Sequence, residues 1–305
     1  MLKTNRLLQF WTVRILFFGI CFVFRISLFF LSGVYKMYSI NKYTFKEFKI
    51  TPGHRANYAI LCNPEFKENQ WGIKYHPSND YAREYKILAL FSHPQIPVRY
   101  KVGRDNMYND DKFVLAQYYL IMTHFEGKGV LEYYKKRDMT DRKEIEGVIQ
   151  HFASVTLPLM HMHTKGYLHS DIKPGHLILN PTTGVMALID LECTIKTGET
   201  LLGMSREYAS PEQKEMIQLL RKNEREKDVL KKIKIAATSD LYSVGLILYE
   251  ALTNKLWQEN PVPPWELNSS IPEKLHKVIL GLLEENPLNR IHSAELLKNE
   301  LEAIA

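Results

Sequence analysis

The residues of this chain best suited to chemistry lie in two short stretches, His169–Leu179 (HSDIKPGHLIL) and Ala187–Glu192 (ALIDLE). The bulky apolar run Val185–Ile189 after Gly184 reads as a buried strand, so Asp190, which ends it, projects into a cleft. Asp171 faces the same cleft. Two carboxylates delivered by neighbouring loops, with Lys173 two residues beyond the first, suit phosphoryl transfer. One would orient an attacking hydroxyl, the other would hold a metal ion, and the lysine would meet the phosphate in transit.

Such groups need elements to hold them. Asp141–Lys165 has apolar residues at helical spacing and stops at Gly166, which predicts a long helix beneath the first stretch. His161 and His163 are two apart and share no helix face, which argues against a metal pair there. Asp80–Leu90 has the apolar spacing of an amphipathic helix. Gly103–Lys112 is polar and turn-rich, the pattern of a hairpin tip. The charged run between Gln213 and Ala237 allows an amphipathic helix with a solvated face.

In this order, from Lys49 to Leu297, the motifs resemble those of the protein kinases. His169-Ser170-Asp171-Ile172-Lys173 is similar to the catalytic loop H-R-D-x-K-x-x-N, and Asp190-Leu191-Glu192 to D-F-G. Lys74 resembles the lysine of V-A-I-K, and Glu84 its helical glutamate partner. Lys49–Tyr58 (KITPGHRANY) stands at the phosphate-covering loop with one glycine, Gly53. Tyr118–Tyr134 looks like the strand, hinge and helix that follow, with Met122 as gatekeeper and the Thr123–Phe125 backbone at the adenine edge. In Gly203–Gln213 (GMSREYASPEQ), Ser205 falls on the threonine that bonds the catalytic Asp and Lys. Glu212 would pair with Arg290, and Asp240 would cap the catalytic loop. His169 would brace that loop.

The resemblance implies an α+β, bilobal protein-kinase-like fold, with a small five-stranded β-rich N-lobe to about Gly127 and a larger helical C-lobe beyond it. It implies ATP with Mg²⁺, or Mn²⁺, as cofactors and a protein Ser/Thr hydroxyl as acceptor. Asp171, Lys173 and Ser205 would be catalytic. Gly53, Lys74, Glu84, Met122, Thr123 and Phe125 would bind nucleotide, and Asp190, His176 and Glu192 metal.

Three departures stand out: Ser170 for Arg, His176 for Asn, and Leu191-Glu192 for Phe-Gly. Loss of the arginine that reads activation-loop phosphates makes phosphorylation there matter less for switching. Imidazole suits softer metals than an amide oxygen does, and Glu192 adds a carboxylate that compensates. The lipopolysaccharide-core heptose kinases show a similar His five residues after the catalytic Asp, with D-L-H for D-F-G. Two other classes therefore stay open, a pseudokinase scaffold and a membrane-proximal sugar or lipid kinase. Lys173, Pro174, Ser205 and Ser210–Gln213 favour protein substrates.

The 305 residues, 45% hydrophobic and 24% charged, are enough for a sizeable core. Cys21, Cys62 and Cys193 are too few and scattered for a disulfide framework or zinc site, which fits a reducing, cytoplasmic compartment. The net charge of +6 is concentrated before residue 51, where eight Lys/Arg face one acid, Glu47. The rest is near neutral and carries no nucleic-acid footprint. Ile15–Tyr35 is long enough to span a bilayer. Arg25 in its middle costs about 2.5–3.5 kcal/mol, which about ten apolar neighbours at about −0.3 to −0.6 each offset. Residues 1–36 thus read as a hydrophobic segment, a membrane anchor by one reading, ahead of a kinase-like domain over 37–305. A signal peptide, poorly served by Leu31-Ser32-Gly33, and a start at Met37 are the alternatives.

Overall fold

The structure is a computed structural model that describes residues 10–17, 20–27, 37–47, 57–62, 70–109, 112–259 and 261–304. The chain divides into two compact units, Met1–Lys36 and Met37–Ala305. In the first, β1 (Phe10–Phe17) and β2 (Ile20–Ser27) form an antiparallel pair from Phe10↔Ser27 to Phe17↔Ile20. The segments FWTVRILF and ICFVFRIS are rich in β-branched and aromatic residues, which favour extended backbone. Strand thus replaces a continuous span over the described part of Ile15–Tyr35, and no helix among the described residues is long and apolar enough to cross a membrane.

The second unit opens with β3 (Met37–Ile40), β4 (Tyr43–Glu47), β5 (Asn57–Leu61) and β6 (Trp71–His76). Helix α1 (Ala82–Leu88) follows, then β7 (Arg99–Asn109) and β8 (Lys112–Thr123). The six strands close into a barrel of order β3-β4-β5-β6-β8-β7. The small lobe therefore has one strand more than the five expected, because β3 pairs with both β4 and β7. Strand alternation fixes the faces: Phe45, Ala59, Ile73, Tyr75 and Ile121 fill the barrel, while Lys74 points the other way. The Gly103–Lys112 tip is also corrected. Its polar residues through Asn109 pair across to β8, so most of the segment is strand.

The larger lobe begins with the two-residue strand β9 (Lys128–Gly129) and α2 (Val130–Tyr134). Helix α3 (Arg142–Thr164) is capped by Asp141, whose side chain accepts from the Lys143 amide, and the chain leaves it at Gly166 with φ of 76°. Strands β10 (Tyr167–Leu168), β11 (Leu177–Leu179), β12 (Met186–Leu188) and β13 (Ile195–Lys196) carry the catalytic-type stretches. The core behind them, with Phe152, Leu159, Leu177, Leu188 and Ile247, is fully buried.

Helices α4 (Pro211–Arg221) and α5 (Glu226–Lys232) precede α6 (Ala237–Thr253), α7 (Pro264–Leu267), α8 (Glu273–Leu282) and α9 (Ala294–Glu302). The run expected as one solvated helix is thus two helices with a core of their own. Met216, Val229, Ile233 and Ile235 bury against Leu168, Ile195 and Leu201. Asn223, with φ of 60°, makes the break between the two.

Candidate active site

Lys74 leaves β6 on the cleft side and meets Glu84 Oε2 at 2.7 Å, from the first turn of α1. Burial raises the pKa of this carboxyl, only 1% exposed, against the opposing pull of Lys74. Lys74 also lies 3.0 Å from Asp190 Oδ1 and 3.9 Å from Glu192 Oε2. Oxygens of Glu84, Asp190 and Glu192 fall within 4.8 Å of one another, and the lysine ammonium sits among them. Burial works against the Lys74 charge, but Glu84 and then Asp190 outweigh it and raise its pKa. Burial likewise pushes the Asp190 carboxyl up, yet Lys74 and His176 hold it well below the usual carboxylate range.

Asp190 follows β12 with φ of 65°, a left-handed backbone that costs a non-glycine residue about 1–3 kcal/mol. His169, fully buried, stabilises this turn through Nε2, 3.0 Å from the Ile189 carbonyl. Ser170 has the same unusual backbone, φ of 68°. Asp240 from α6 secures it: Oδ1 accepts from the Ser170 amide and Oδ2 from the His169 amide, each at 2.9 Å. Oδ2 also meets His163 Nε2 at 2.9 Å. Burial would raise the Asp240 carboxyl, but His163 and the amide bonds bring it below its ordinary value.

The rest of the stretch converges on Asp171. Its Oδ1 accepts from the Ser205 backbone amide at 2.5 Å, and Lys173 Nζ lies 3.5 Å from Oδ2. Ser205 thus contacts Asp171 through its backbone. His176 ends the 3₁₀ turn Pro174–His176 and donates from Nδ1 to the Asp171 carbonyl at 2.8 Å. That carbonyl accepts only, so a proton stays on Nδ1 and Nε2 is the nitrogen left to face a metal. Nε2 is buried, has no aligned hydrogen bond, and lies 3.1 Å from Asp190 Oδ2.

This pair fits a divalent cation. A six-coordinate ion with ligands at about 2.1 Å sets neighbouring donors about 3.0 Å apart. Glu192 sits on the Lys74 side of Asp190, so charge is its nearer contribution.

At the hinge, Met122 is buried near the end of β8. The Thr123 amide donates to Val98 O at 2.9 Å and the His124 amide to Gln70 O at 2.8 Å. No hydrogen bond among the described residues engages the Phe125 amide. Gly53 lies outside the described residues, as does most of Lys49–Tyr58, while Asn57 and Tyr58 belong to β5.

Below the cleft, Arg290 binds Glu212 with two parallel bonds of 2.7 and 2.8 Å, and Ser239 Oγ adds a third at 2.7 Å. Burial pushes the Glu212 carboxyl up, and bonds from Arg290 and Ser239 bring it below its ordinary value. Ser210 and Gln213 form a capping box that starts α4, and Gln213 Nε2 donates to Ser170 O at 2.8 Å.

Sequence reasoning missed several of these residues. Arg83, next to Glu84, donates to the carbonyls of Glu192 at 2.6 Å and Thr194 at 2.5 Å, which ties α1 to the segment after Asp190. Its position beside a motif residue was the available signal. Gln213 lay inside the quoted SPEQ run. Tyr58, whose hydroxyl lies 3.0 Å from His124 Nδ1, gave none.

The chain matches the family profile described as protein kinase domain over residues 60–301. A probable serine/threonine-protein kinase of Clostridium acetobutylicum is 28% identical over 241 residues, 72% of this chain and 32% of that protein. Serine/threonine-protein kinase PknB of Mycobacterium tuberculosis is 24% identical over 244 residues, again 72% of this chain and 35% of the relative. The matched part thus spans about a third of the length of these curated relatives. In fold, the chain is similar to the crystal structure of the Mycobacterium tuberculosis PknI kinase domain. The TM-score is 0.60 at 16% identity, with 90% of this chain and 100% of that one covered.

Proposed function

The chain belongs to the protein kinase domain family, and from that premise we propose that it transfers the ATP γ-phosphate to Ser or Thr hydroxyls of a protein. The observation that carries this reading is the unbroken chain of contacts Glu84–Lys74–Asp190–His176, beside the pair Asp171 and Lys173. Lys74, fixed by Glu84, takes the α- and β-phosphates. Asp171 accepts the hydroxyl proton of the incoming Ser or Thr, and Lys173 steadies the transferred phosphoryl group. Met122 and the Thr123–Phe125 backbone line the base edge, and Gly53 belongs to the loop over the phosphates. The backbone amide of Ser205 orients Asp171.

Asp190 and His176 would hold the metal, with Glu192 adding negative charge beside them. The ion, when bound, neutralises charge on the phosphates. An imidazole in the donor set admits Mn²⁺ alongside the Mg²⁺ usual for this chemistry.

The experiment is transfer of radiolabelled phosphate from ATP to a generic basic protein, with residues 37–305 tested beside the full chain. Asp171→Ala is expected to abolish transfer while ATP still binds. Asp190→Asn is expected to abolish the metal dependence of ATP binding in a thermal-shift assay. Transfer that survives both substitutions would refute the assignment, and metal-independent binding by the parent protein would favour a scaffold.

A further inference from the structure

One cleft-facing side chain has no part in the proposed reaction. Tyr58 pairs with Lys74 across β5 and β6, so both side chains leave the barrel on the same face. Its neighbour Ala59 points inward, beside Ile73. From β5 the Tyr58 ring runs along the roof past Gly72, and its hydroxyl reaches Nδ1 of His124 in the hinge, at 3.0 Å.

Gly72 is what makes room for it. A Cβ at that position would lie 1.9 Å from the Tyr58 oxygen and 2.4 Å from the ring carbon that bears it. The motif that β6 resembles has alanine here, so the glycine and the tyrosine form a matched pair. The ring also packs against the apolar cluster that contains Met122, Val130 and Leu179.

A flat ring against the roof, hydrogen-bonded at its far edge to the hinge, occupies what a purine needs. Burial raises the pKa of the phenol, with Lys74 pulling the other way, and burial lowers that of His124 against the pull of Glu126. The phenol hydroxyl can donate or accept, so it shares a hydrogen bond with Nδ1 in either tautomer of the imidazole.

We infer that Tyr58 is an internal plug: it fills the nucleobase slot, bonded to His124, and swings out when an adenine nucleotide enters. The inference rests on the nucleotide-site reading above. The plug selects for conformations in which the slot is closed, so it weakens apparent affinity by the fraction of time the slot is open. A slot open about one tenth of the time binds about tenfold more weakly than a permanently open one.

The test is calorimetric titration of the full chain with ATP and Mg²⁺, and separately with inorganic tripolyphosphate, which has no base. Tyr58→Val is expected to tighten ATP binding about tenfold and to leave tripolyphosphate binding unchanged. Gly72→Ala expels the phenol without deleting it and is expected to give a similar gain, which covers the case of a Tyr58 variant that folds poorly. Equal or weaker ATP binding by both variants, with binding still abolished by Lys74→Ala, would overturn the plug and leave the nucleotide site standing. An equal gain with tripolyphosphate would place the effect outside the base slot and also overturn the plug. Failure of every form to bind ATP would overturn both readings.

Discussion

Beneath the cleft, the catalytic-type loop hangs from buried polar groups whose bonds are fixed. Asp240 takes two backbone amides, Gln213 holds the Ser170 carbonyl, and Glu212 is clamped by Arg290. Above the cleft, the contacts that cross the site are ones a ligand must rearrange: Lys74 with Asp190, and Tyr58 with His124. The floor is a scaffold in which removal of any partner strands a buried polar or charged group, whereas the roof exchanges partners. Of the departures from the family pattern, His176 and Glu192 lie on the cleft itself, whereas Ser170 is buried in the floor. The supporting pairs beneath the cleft match the family.

The comparison can be broken first at the floor. Arg290→Met leaves Glu212 buried without its partner and is expected to cost about 3–5 kcal/mol of stability in denaturant titration. The double variant with Glu212→Gln is expected to recover part of that loss, because no unpaired charge remains. A loss in the single variant no larger than that of an exposed ion pair would put the floor on the same footing as the roof.

A smaller effect is expected where α4 and α5 meet the segment after Asp190. Met216→Ala opens a cavity beneath Leu201 and Ile195 and should cost about 2–5 kcal/mol. Because Thr200 also bonds Glu226 across this contact, loosening should speed tryptic cleavage at exposed Lys196. Unchanged cleavage would mean that the helices support only themselves.

The smallest effect is on the acid limb of stability. The Glu212 pKa in the folded chain lies below its ordinary 4.5, so the protein gains stability from the ionised pair above that pH. The gain is lost as pH falls from 4.5 through the folded value, where the unfolded chain takes up the proton first. Glu212→Gln is therefore expected to give a less stable protein with a shallower decline below pH 4.5. An unchanged slope would show that other carboxylates set the acid limit.

Much of this was legible in the sequence. Lys74, Glu84, Asp171, Asp190, Glu212, Arg290 and Asp240 are named by motifs whose spacing is local, and the fold brought them together. Less legible were contacts set by register between distant strands. Tyr58 faces the cleft only because Ala59 faces the barrel, and it passes Gly72 only because β5 and β6 pair as they do. A pattern of one residue in two cannot be read where the flanking loop hides the strand's start. The 213–237 run misled for a different reason. Its charges outnumber its apolar residues, and burial of Val229 and Ile235 depends on partners more than 25 positions away, at Leu168, Ile195 and Leu201.

The extra strand β3 has a consequence for the company this lobe can keep. Its four residues close the barrel by pairing on both flanks, so β4 and the Met107–Asn109 end of β7 offer no unpaired rim there for a visiting peptide to zip onto. Recognition by strand addition is thereby denied at that seam, and so is edge-to-edge stacking there. A chain trimmed to Tyr43 would regain both hazards at once, on β4 and on β7.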